Sequence, residues 1–536
     1  MTSTFHGLEV AKRGMSTQQA ALYTTGQNIA NANTPGYSRQ RVNFEQTEPY
    51  PAPSMNRPEI PGQMGTGVKA GSIQRVRENF LDLQYRDEQN KVGYWSARSD
   101  ALTKMEDILK EPSDSGLAKT MDDFWKGLQT LSTNPENSGA RSVVLSNGKA
   151  VTETFHYLND SLTALQKDLS NQTSVTVKEV NSLAQQIASI NKQISEIEPH
   201  GYLPNDLYDE RDRLVDQLTE LVNVKVEMTP STTGTSNALK IAEGIANIKL
   251  VGADGQELKD GSGNPIYLVK GDQPSTVSFT GGSSSNGGSV LDVPPEDGVT
   301  DMVITDSTGA ASTISFKDDL GSGKLRGLIE SFGYKEKDAA TGNYGETKGI
   351  YPDMLDKLDQ LAYTFATMFN DVHKQGYQLN SDQQGQDFFS GLGADYHGAA
   401  KGIDVALTDG SQIAASTEKN TAGNGLNAIK LAGVRSTSLT STSPTPIKTG
   451  TVSSFYEAMI GQLGVEGQQA SRMLGNADTL RQSVDGRRQS VSAVSLDEEM
   501  TNMIQFQHAY NAAARNITVV DEMLDKIING MGLVGR

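Results

Sequence analysis

Six histidines are the first candidates for chemistry: His6, His156, His200, His373, His397 and His508. No two stand close enough in sequence to form the local ligand pair of a zinc-binding helix. GNGLNA at 423–428 matches the loose G-x-G-x-x-A form of a phosphate loop, but no buried-strand run precedes it, so it reads as a glycine turn before a short helix. Neither G-x-x-x-x-G-K nor G-x-S-x-G occurs. Asp497, Glu498 and Glu499 would serve as acids, yet at the start of a helix such a cluster complements the macrodipole. Asp292 and Glu296 could be drawn as a glycan-cleaving pair, without support from their spacing. The sequence contains no cysteine, which excludes disulfides, thiolate metal sites and cysteine catalysis together. No catalytic, metal or cofactor site is expected.

The elements are therefore the subject. A chain of 536 residues predicts two to four units. A hydrophobic fraction of 36%, 6% aromatics and a mean hydropathy of −0.46 suit elongated helical units better than one compact globule. The net charge of −18 gives the chain no global attraction for phosphate backbones or anionic lipid, so neither nucleic acid nor membrane is an expected partner. No apolar run is long enough to span a bilayer, and MTSTFHGLEVAKRG lacks the regions of a signal peptide. This fits a cytoplasmic protein or one exported without a cleaved signal.

Both ends carry rows that repeat every seven residues. Leu8, Met15, Leu22 and Ile29 form a narrow stripe with Phe5 and Ala11 as partial companions. At the other end Leu496, Met503, Tyr510, Ile517, Leu524 and Met531 form a longer row, with Met500, Ala514 and Ile528 on an adjoining one interrupted by Gln507 and Asp521. Charge favours pairing the two. In residues 1–44 Lys12, Arg13, Arg39 and Arg41 outweigh Glu9, giving +3, whereas three basic and six acidic side chains in 496–536 give −3. Periodicity alone equally allows each stripe to pack on its own neighbouring domain. Gly14 and Gly26 each cost about 1 kcal/mol of helix stability, so the ends are expected to become helical only on assembly.

Between the ends, Val180, Leu183, Ile187, Ile190, Ile194 and Ile197 continue a rhythm begun by Leu158, Leu162, Leu165 and Leu169. At 1.5 Å per residue this predicts a rod of roughly 60 Å that breaks at Pro199. NDLYDERDRLVDQLTELVNV follows, with Leu207, Leu214, Leu218 and Leu221 facing back onto the rod and Asp206, Asp209, Arg211 and Arg213 off that face. Leu355 to Val372, and Ala470, Met473, Ala477, Leu480 and Val484, add further bundle helices. From about 226 to 325, short β-type runs separated by Asp-Gly and Gly-Ser turns predict an inserted antiparallel unit that could be removed without loss of the body. The proline-rich segment 42–75 reads as an extended arm with a strand or two.

NIANANTPGYSRQ, 28–40, ends the first helix. Pro35 biases Thr34 away from the α region, and Pro35-Gly36 fits the centre of a type II turn, so the helix stops near Asn33. Asn28, Ala30, Asn31 and Ala32 offer amides with little bulk, suited to close approach by neighbouring subunits.

This motif, GTGVKAGSIQRV after it and SLDEEMTNMIQFQHAYNAAARNITVVDEMLDKIING at the carboxyl end resemble the signature ends of bacterial flagellar axial proteins. NDLYDERDRLVDQLTELVNV and the segment ending GNGLNAIKLAGV narrow the resemblance to the family of the first hook-associated protein, which joins hook to filament. The resemblance implies a non-enzymatic, mainly α structural subunit with an inserted β domain, exported through the flagellar type III channel. It implies assembly with copies of itself, with the hook protein and with the second hook–filament junction protein, and a cytoplasmic export chaperone on the carboxyl-terminal helix. The terminal rows, Leu8 to Ile29 and Leu496 to Met531, are then subunit-interface residues, and Asn33, Thr34, Pro35 and Gly36 the turn that ends the first helix. The expected division is a terminal coiled coil (1–34 and 496–536) as inner tube, a helical body (35–225 and 326–495) and an outward β domain (226–325). Hook or rod proteins share the ends, but the family pattern for them is a mostly β body; the third junction protein is helical but much shorter. A secreted adhesin or effector using the β domain is the reading from another class.

Overall fold

A computed structural model describes residues 5–51, 55, 62–109, 116–231, 238–281, 298–316, 320–337, 343–440 and 445–530. Met531, Asp292, Glu296 and most of the 281–288 loop lie outside the described residues.

The chain opens with helix α1 (Phe5–Ala30) and an antiparallel hairpin of β1 (Gln40–Gln46) and β2 (Val68–Arg75), irregular in register after Asn43. The body begins with α2 (Asn79–Leu109) and α3 (Leu117–Thr133). Its axis is α4 (Ser138–Ile197), a helix of 60 residues and so about 90 Å long. The expected rod is too short at its beginning. Asn137 caps the helix, accepting from the N–H groups of Gly139 and Ala140 at 2.8 and 3.1 Å, and Val144, Val151 and Phe155 carry the apolar row upstream. In the polar stretch at its middle, the hydroxyls of Thr173 and Thr176 donate to the carbonyls of Leu169 and Gln172, which satisfies both groups without breaking the helix. The helix ends ahead of Pro199, Gly201 reverses the chain at φ 82°, and α5 (Asn205–Leu221) packs back on α4 as its leucine spacing predicts.

Two sheets follow. One is antiparallel in the order β3 (Val224–Thr229), β4 (Ile245–Leu250), β5 (Tyr267–Lys270) and β6 (Gln273–Pro274). The other contains β7 (Thr276–Gly281), β8 (Val299–Thr305), β9 (Ala311–Ser315), β10 (Tyr334–Lys337) and β11 (Tyr344–Lys348), with α6 (Lys324–Phe332) between β9 and β10. This sheet runs beyond residue 325, and its β10 pairs with β8 in parallel through Tyr334 and Val299. Nor are the sheets a detachable appendage. Ile248, Leu268, Val277, Phe279 and Met302 belong to one hydrophobic cluster with Val180, Leu183 and Ile187 of α4. Asn191 of α4 donates to the carbonyls of Ala246 and Gly271, and Asn181 to that of Val277. Removing 231–320 would strip this face of α4, because the same row packs on helices in its first half and on sheets in its second.

The remaining helices are α7 (Ile350–His373), α8 (Ala399–Gly402), α9 (Leu426–Gly433), α10 (Val452–Ser492) and α11 (Leu496–Gly530), with a short ladder of β12 (Phe389–Ser390) and β13 (Asp404–Val405) before α9. Phe124 and Trp125 of α3, Phe155 of α4, Phe365 and Phe369 of α7, and Phe388 and Phe389 interlock in tilted and edge-on pairs with centroids 4.8–6.5 Å apart. Beside them His373 is buried, with Nδ1 2.5 Å from the carbonyl of Gln386 and Nε2 accepting from the Ala414 N–H at 2.9 Å. GNGLNA is the glycine turn its sequence predicts: Gly425 precedes α9, and Asn427 donates to the carbonyl of Ala414 at 2.7 Å. Along α10, Tyr456, Leu463, Ala470 and Ala477 repeat every seven residues and are buried where this helix runs along α2. Met473 and Leu480, expected beside them, point outward, because the small alanines give α2 the closer approach.

Candidate functional site at the chain ends

The termini meet within one chain. α1 and α11 run antiparallel: Gly7 lies opposite Val520 and Gly14 opposite Ala513, with a Cβ built on either glycine 3.8 or 4.0 Å from the partner side chain. Two turns further on, Ala21 and Phe506 line one groove together with Glu499. Gly7, Gly14 and Ala21 on α1 thus face α11, again seven residues apart. Of the two glycines that look like helix breakers in isolation, Gly14 lies on this contact surface, whereas a Cβ on Gly26 would meet nothing within 4 Å. The spacing of Gly7, Gly14 and Ala21 was the available signal.

The predicted row on α1 sits beside this one, and Leu8, Met15, Leu22 and Ile29 are all half-buried. On α11, Met503, Tyr510, Ile517 and Leu524 are half-buried, while Leu496 is exposed. Phe506, Ala513 and Val520, three residues after successive members of that row, lie nearest α1, and Met500 and Ile528 face solvent at 56% and 72% exposure. Both helices form in the single chain, contrary to the expectation that only assembly would order them. The glycine row lets two narrow stripes cover one another, and the hairpin covers the other side of α1.

That hairpin explains the polar character of α1. His6, Arg13 and Thr17 bond the carbonyls of Gly65, Thr66 and Val68, each at 3.1 Å. Asn28 is buried; its amide donates to the Gln40 carbonyl at 2.8 Å, and its oxygen accepts from the Gln40 N–H at 3.0 Å and the Tyr37 hydroxyl at 2.9 Å. The Asn28 side chain therefore serves the chain's own fold rather than a neighbouring subunit. The helix stops at Ala30. Tyr37 N–H donates to Thr34 O at 3.2 Å across Pro35 and Gly36, and Gly36 has φ 83°, as a type II turn requires. Asn33, Thr34, Pro35 and Gly36 are exposed.

Immediately after the turn the chain meets the body. Ser38 N–H donates to Asp209 at 2.9 Å, Arg39 N–H donates to the Ser492 carbonyl at 2.8 Å, and the Arg39 side chain pairs with Glu498 at 2.5 Å. Arg75 pairs with Asp209 and Asp212 at 2.7 and 3.0 Å, and with Glu243. Arg77 reaches Asp82 and Asp212 at 2.7 and 2.8 Å, Arg86 reaches Asp216 and Asp212 at 2.7 and 3.3 Å, and Arg488 reaches Asp82 and Asp216 at 2.7 Å each. Burial pushes the Asp212 carboxyl up, but Arg77, Arg75, Arg86 and Arg211 outweigh it and hold the group well below the usual carboxylate range. Sequence reasoning set Asp209 and Arg211 aside as polar-face residues. Both are buried. The hint was that Asp209, Asp212 and Asp216 follow the same three-four spacing as the leucines of α5. Beside this network lies a cleft of about 470 Å³, lined by residues 32–38 together with Arg213, Asp485, Arg488 and residues 492–494.

Among the described residues no three His, Asp or Glu side chains come together as a metal site requires, and no helix is long and apolar enough to cross a membrane.

Comparison with known proteins identifies the architecture. Residues 102–389 match the helical domain of the flagellar hook-associated protein FlgK, residues 8–37 the flagella basal body rod protein, and residues 488–530 the C-terminal part of the rod FlgEFG proteins. Flagellar hook-associated protein 1 of Bacillus subtilis is 45% identical over 543 aligned residues covering all of both chains. The Escherichia coli protein of that name is 27% identical over 97% of this chain and 98% of its own. The solved hook junction protein FlgK from Burkholderia pseudomallei aligns with a TM-score of 0.56 over 77% of this chain and 100% of its own, and at 14% identity shows a shared mainly helical fold. With a matching helical body, rod-type ends and a full-length relative, the chain belongs to the flagellar hook-associated protein 1 (FlgK) family and is by family a structural component of the flagellum.

Proposed function

We propose that this chain is the structural subunit joining hook to filament in the bacterial flagellum, and that filament growth requires it. The observation that carries this reading is the combination of rod-type ends, folded as the α1–α11 pair, with the helical body matched at 102–389. The ends alone would suit a hook or rod protein equally; the helical body distinguishes the junction protein. The subunit does no catalysis. It assembles with copies of itself between the hook protein and the second hook–filament junction protein.

In this reading the α1–α11 pair lies in the inner tube, the helical body in the next layer, and the β strands face outward. Leu8, Met15, Leu22, Ile29, Leu496, Met503, Tyr510, Ile517, Leu524 and Met531 contribute to contacts between subunits. Exposed Leu496, Met500 and Ile504 on α11 support that assignment, since a row of such side chains in water favours association. Since the β1–β2 hairpin packs on α1, the terminal unit extends to Arg75 rather than ending at residue 34. The chain leaves the cell through the flagellar export channel without signal cleavage, and a cytoplasmic chaperone covers α11 beforehand.

Electron microscopy of a strain lacking the gene tests the reading. Complete hooks without filaments are expected, with filaments restored by the full chain. Filaments of normal length on the deletion strain would sink it, and loss of the hook itself would favour the rod or hook alternative.

A further inference from the structure

Three stretches of backbone bring the terminal unit against the body: the turn between α1 and β1, the link from β2 to α2, and the link from α10 to α11. All three converge beside α5. Asp209, Asp212 and Asp216 stand on one face of that helix, at spacings of three and four residues. The first stretch is held by Ser38 N–H on Asp209, the second by Arg75 and Arg77 on Asp209 and Asp212, and the third by Arg488 on Asp216. Arg86 ties the same carboxylates to α2.

The hydrophobic cluster of the body stops short of this joint. Its buried members run from Ala97 to Ala470, and none comes from α1, the hairpin or α11. Apolar packing therefore does not fix how the terminal unit is oriented, and units joined without a large apolar interface move relative to one another by default. The cleft of about 470 Å³ beside Arg488 leaves room for such movement. Stability alone is a weak reason for the arrangement, since well-packed apolar residues often stabilise as well as a buried ion-pair cluster does. What charged pairs add is direction: a guanidinium fork engages a carboxylate in few geometries, whereas apolar faces slide.

We propose that the acidic ladder of α5 is an orientation clamp: Arg75 and Arg77 carry the terminal unit onto it, Arg86 and Arg488 lock it to α2 and to the end of α10, and together these pairs set the angle between the terminal helix pair and the body. The clamp is a property of the free chain and does not depend on what the chain assembles with.

The absence of native cysteine makes the test direct. Cysteines introduced at exposed Gln505 on α11 and exposed Lys192 on α4 carry a nitroxide pair, and pulsed electron resonance on the full-length chain reads their distance distribution. A single narrow distribution is expected in the parent. Asp209→Asn, Asp212→Asn and Asp216→Asn together should widen it by about two-fold or shift its centre, consistent with two units released to move independently, while amide protection in α3 and α4 stays as in the parent. An unchanged narrow distribution with a protected body overturns the proposal. Should the triple variant not fold, Arg488→Gln removes only the strap from α10; a smaller widening supports the clamp, and no change in either width or centre overturns it.

Discussion

Gly14 of α1 faces Ala513 of α11 at a separation that leaves room for one methyl group and no more, since a Cβ on the glycine would stand 4.0 Å from that of the alanine. Gly14→Ala is therefore expected to stabilise the terminal unit by up to about 1 kcal/mol through helix propensity alone. Gly14→Leu cannot be accommodated without separating the helices. Amide exchange across 5–30 distinguishes the two: slower in the first variant, faster in the second. Equal exchange in both would show that the helices do not pair through this row.

His373 is held neutral by its bonds. With Nδ1–H donating to the Gln386 carbonyl and Nε2 accepting from the Ala414 N–H, a second ring proton would face a donor, and burial pushes the imidazole down to about 4. The unfolded chain binds this proton near pH 6.5, so between these values it holds more protons than the folded chain. Stability is complete above the unfolded value and falls by about 3 kcal/mol as pH drops from 6.5 towards 4. An imidazole resonance of His373 that titrates near its ordinary value would refute this.

At Gly93 the backbone of α2 packs closely on α5, and a Cβ there would overlap the carbonyl of Glu220. Gly93→Ala should lower folding stability by about 1 to 3 kcal/mol, the usual range for an overpacked site. The midpoint of urea unfolding measures it. A midpoint equal to that of the parent would mean that the two helices separate freely.

Leu22 and Ile29 are half-buried in the single chain and assigned to contacts between subunits. Leu22→Asp with Ile29→Asp should abolish filament growth and leave body unfolding unchanged, because neither side chain belongs to the body's hydrophobic cluster. Filaments of normal length on a strain carrying the double variant would remove both residues from the interface.

The sequence determined what depends on neighbours along the chain. The leucine and isoleucine rows specified α4, α5 and α7; Pro199 ended the rod; and Pro35-Gly36 made the turn. Each follows from a local period or a single restricted dihedral. The motifs of the two ends and of α5 were sufficient to recognise the family. What the sequence did not decide is which of two equally periodic rows faces a partner. On α1 the leucine row and the glycine row both repeat every seven residues, and only the approach of α11 selects the glycines. Likewise β10 joins the sheet begun by β7 through one parallel bridge to Val299, thirty-five residues before Tyr334, a pairing with no local signal. The charges of α5 show the same limit most clearly. Asp209, Asp212 and Asp216 look like a solvated face until Arg75, Arg77, Arg86 and Arg488 arrive from three other parts of the chain. A carboxylate's burial is fixed by who pairs with it, and those partners are brought together only by the fold.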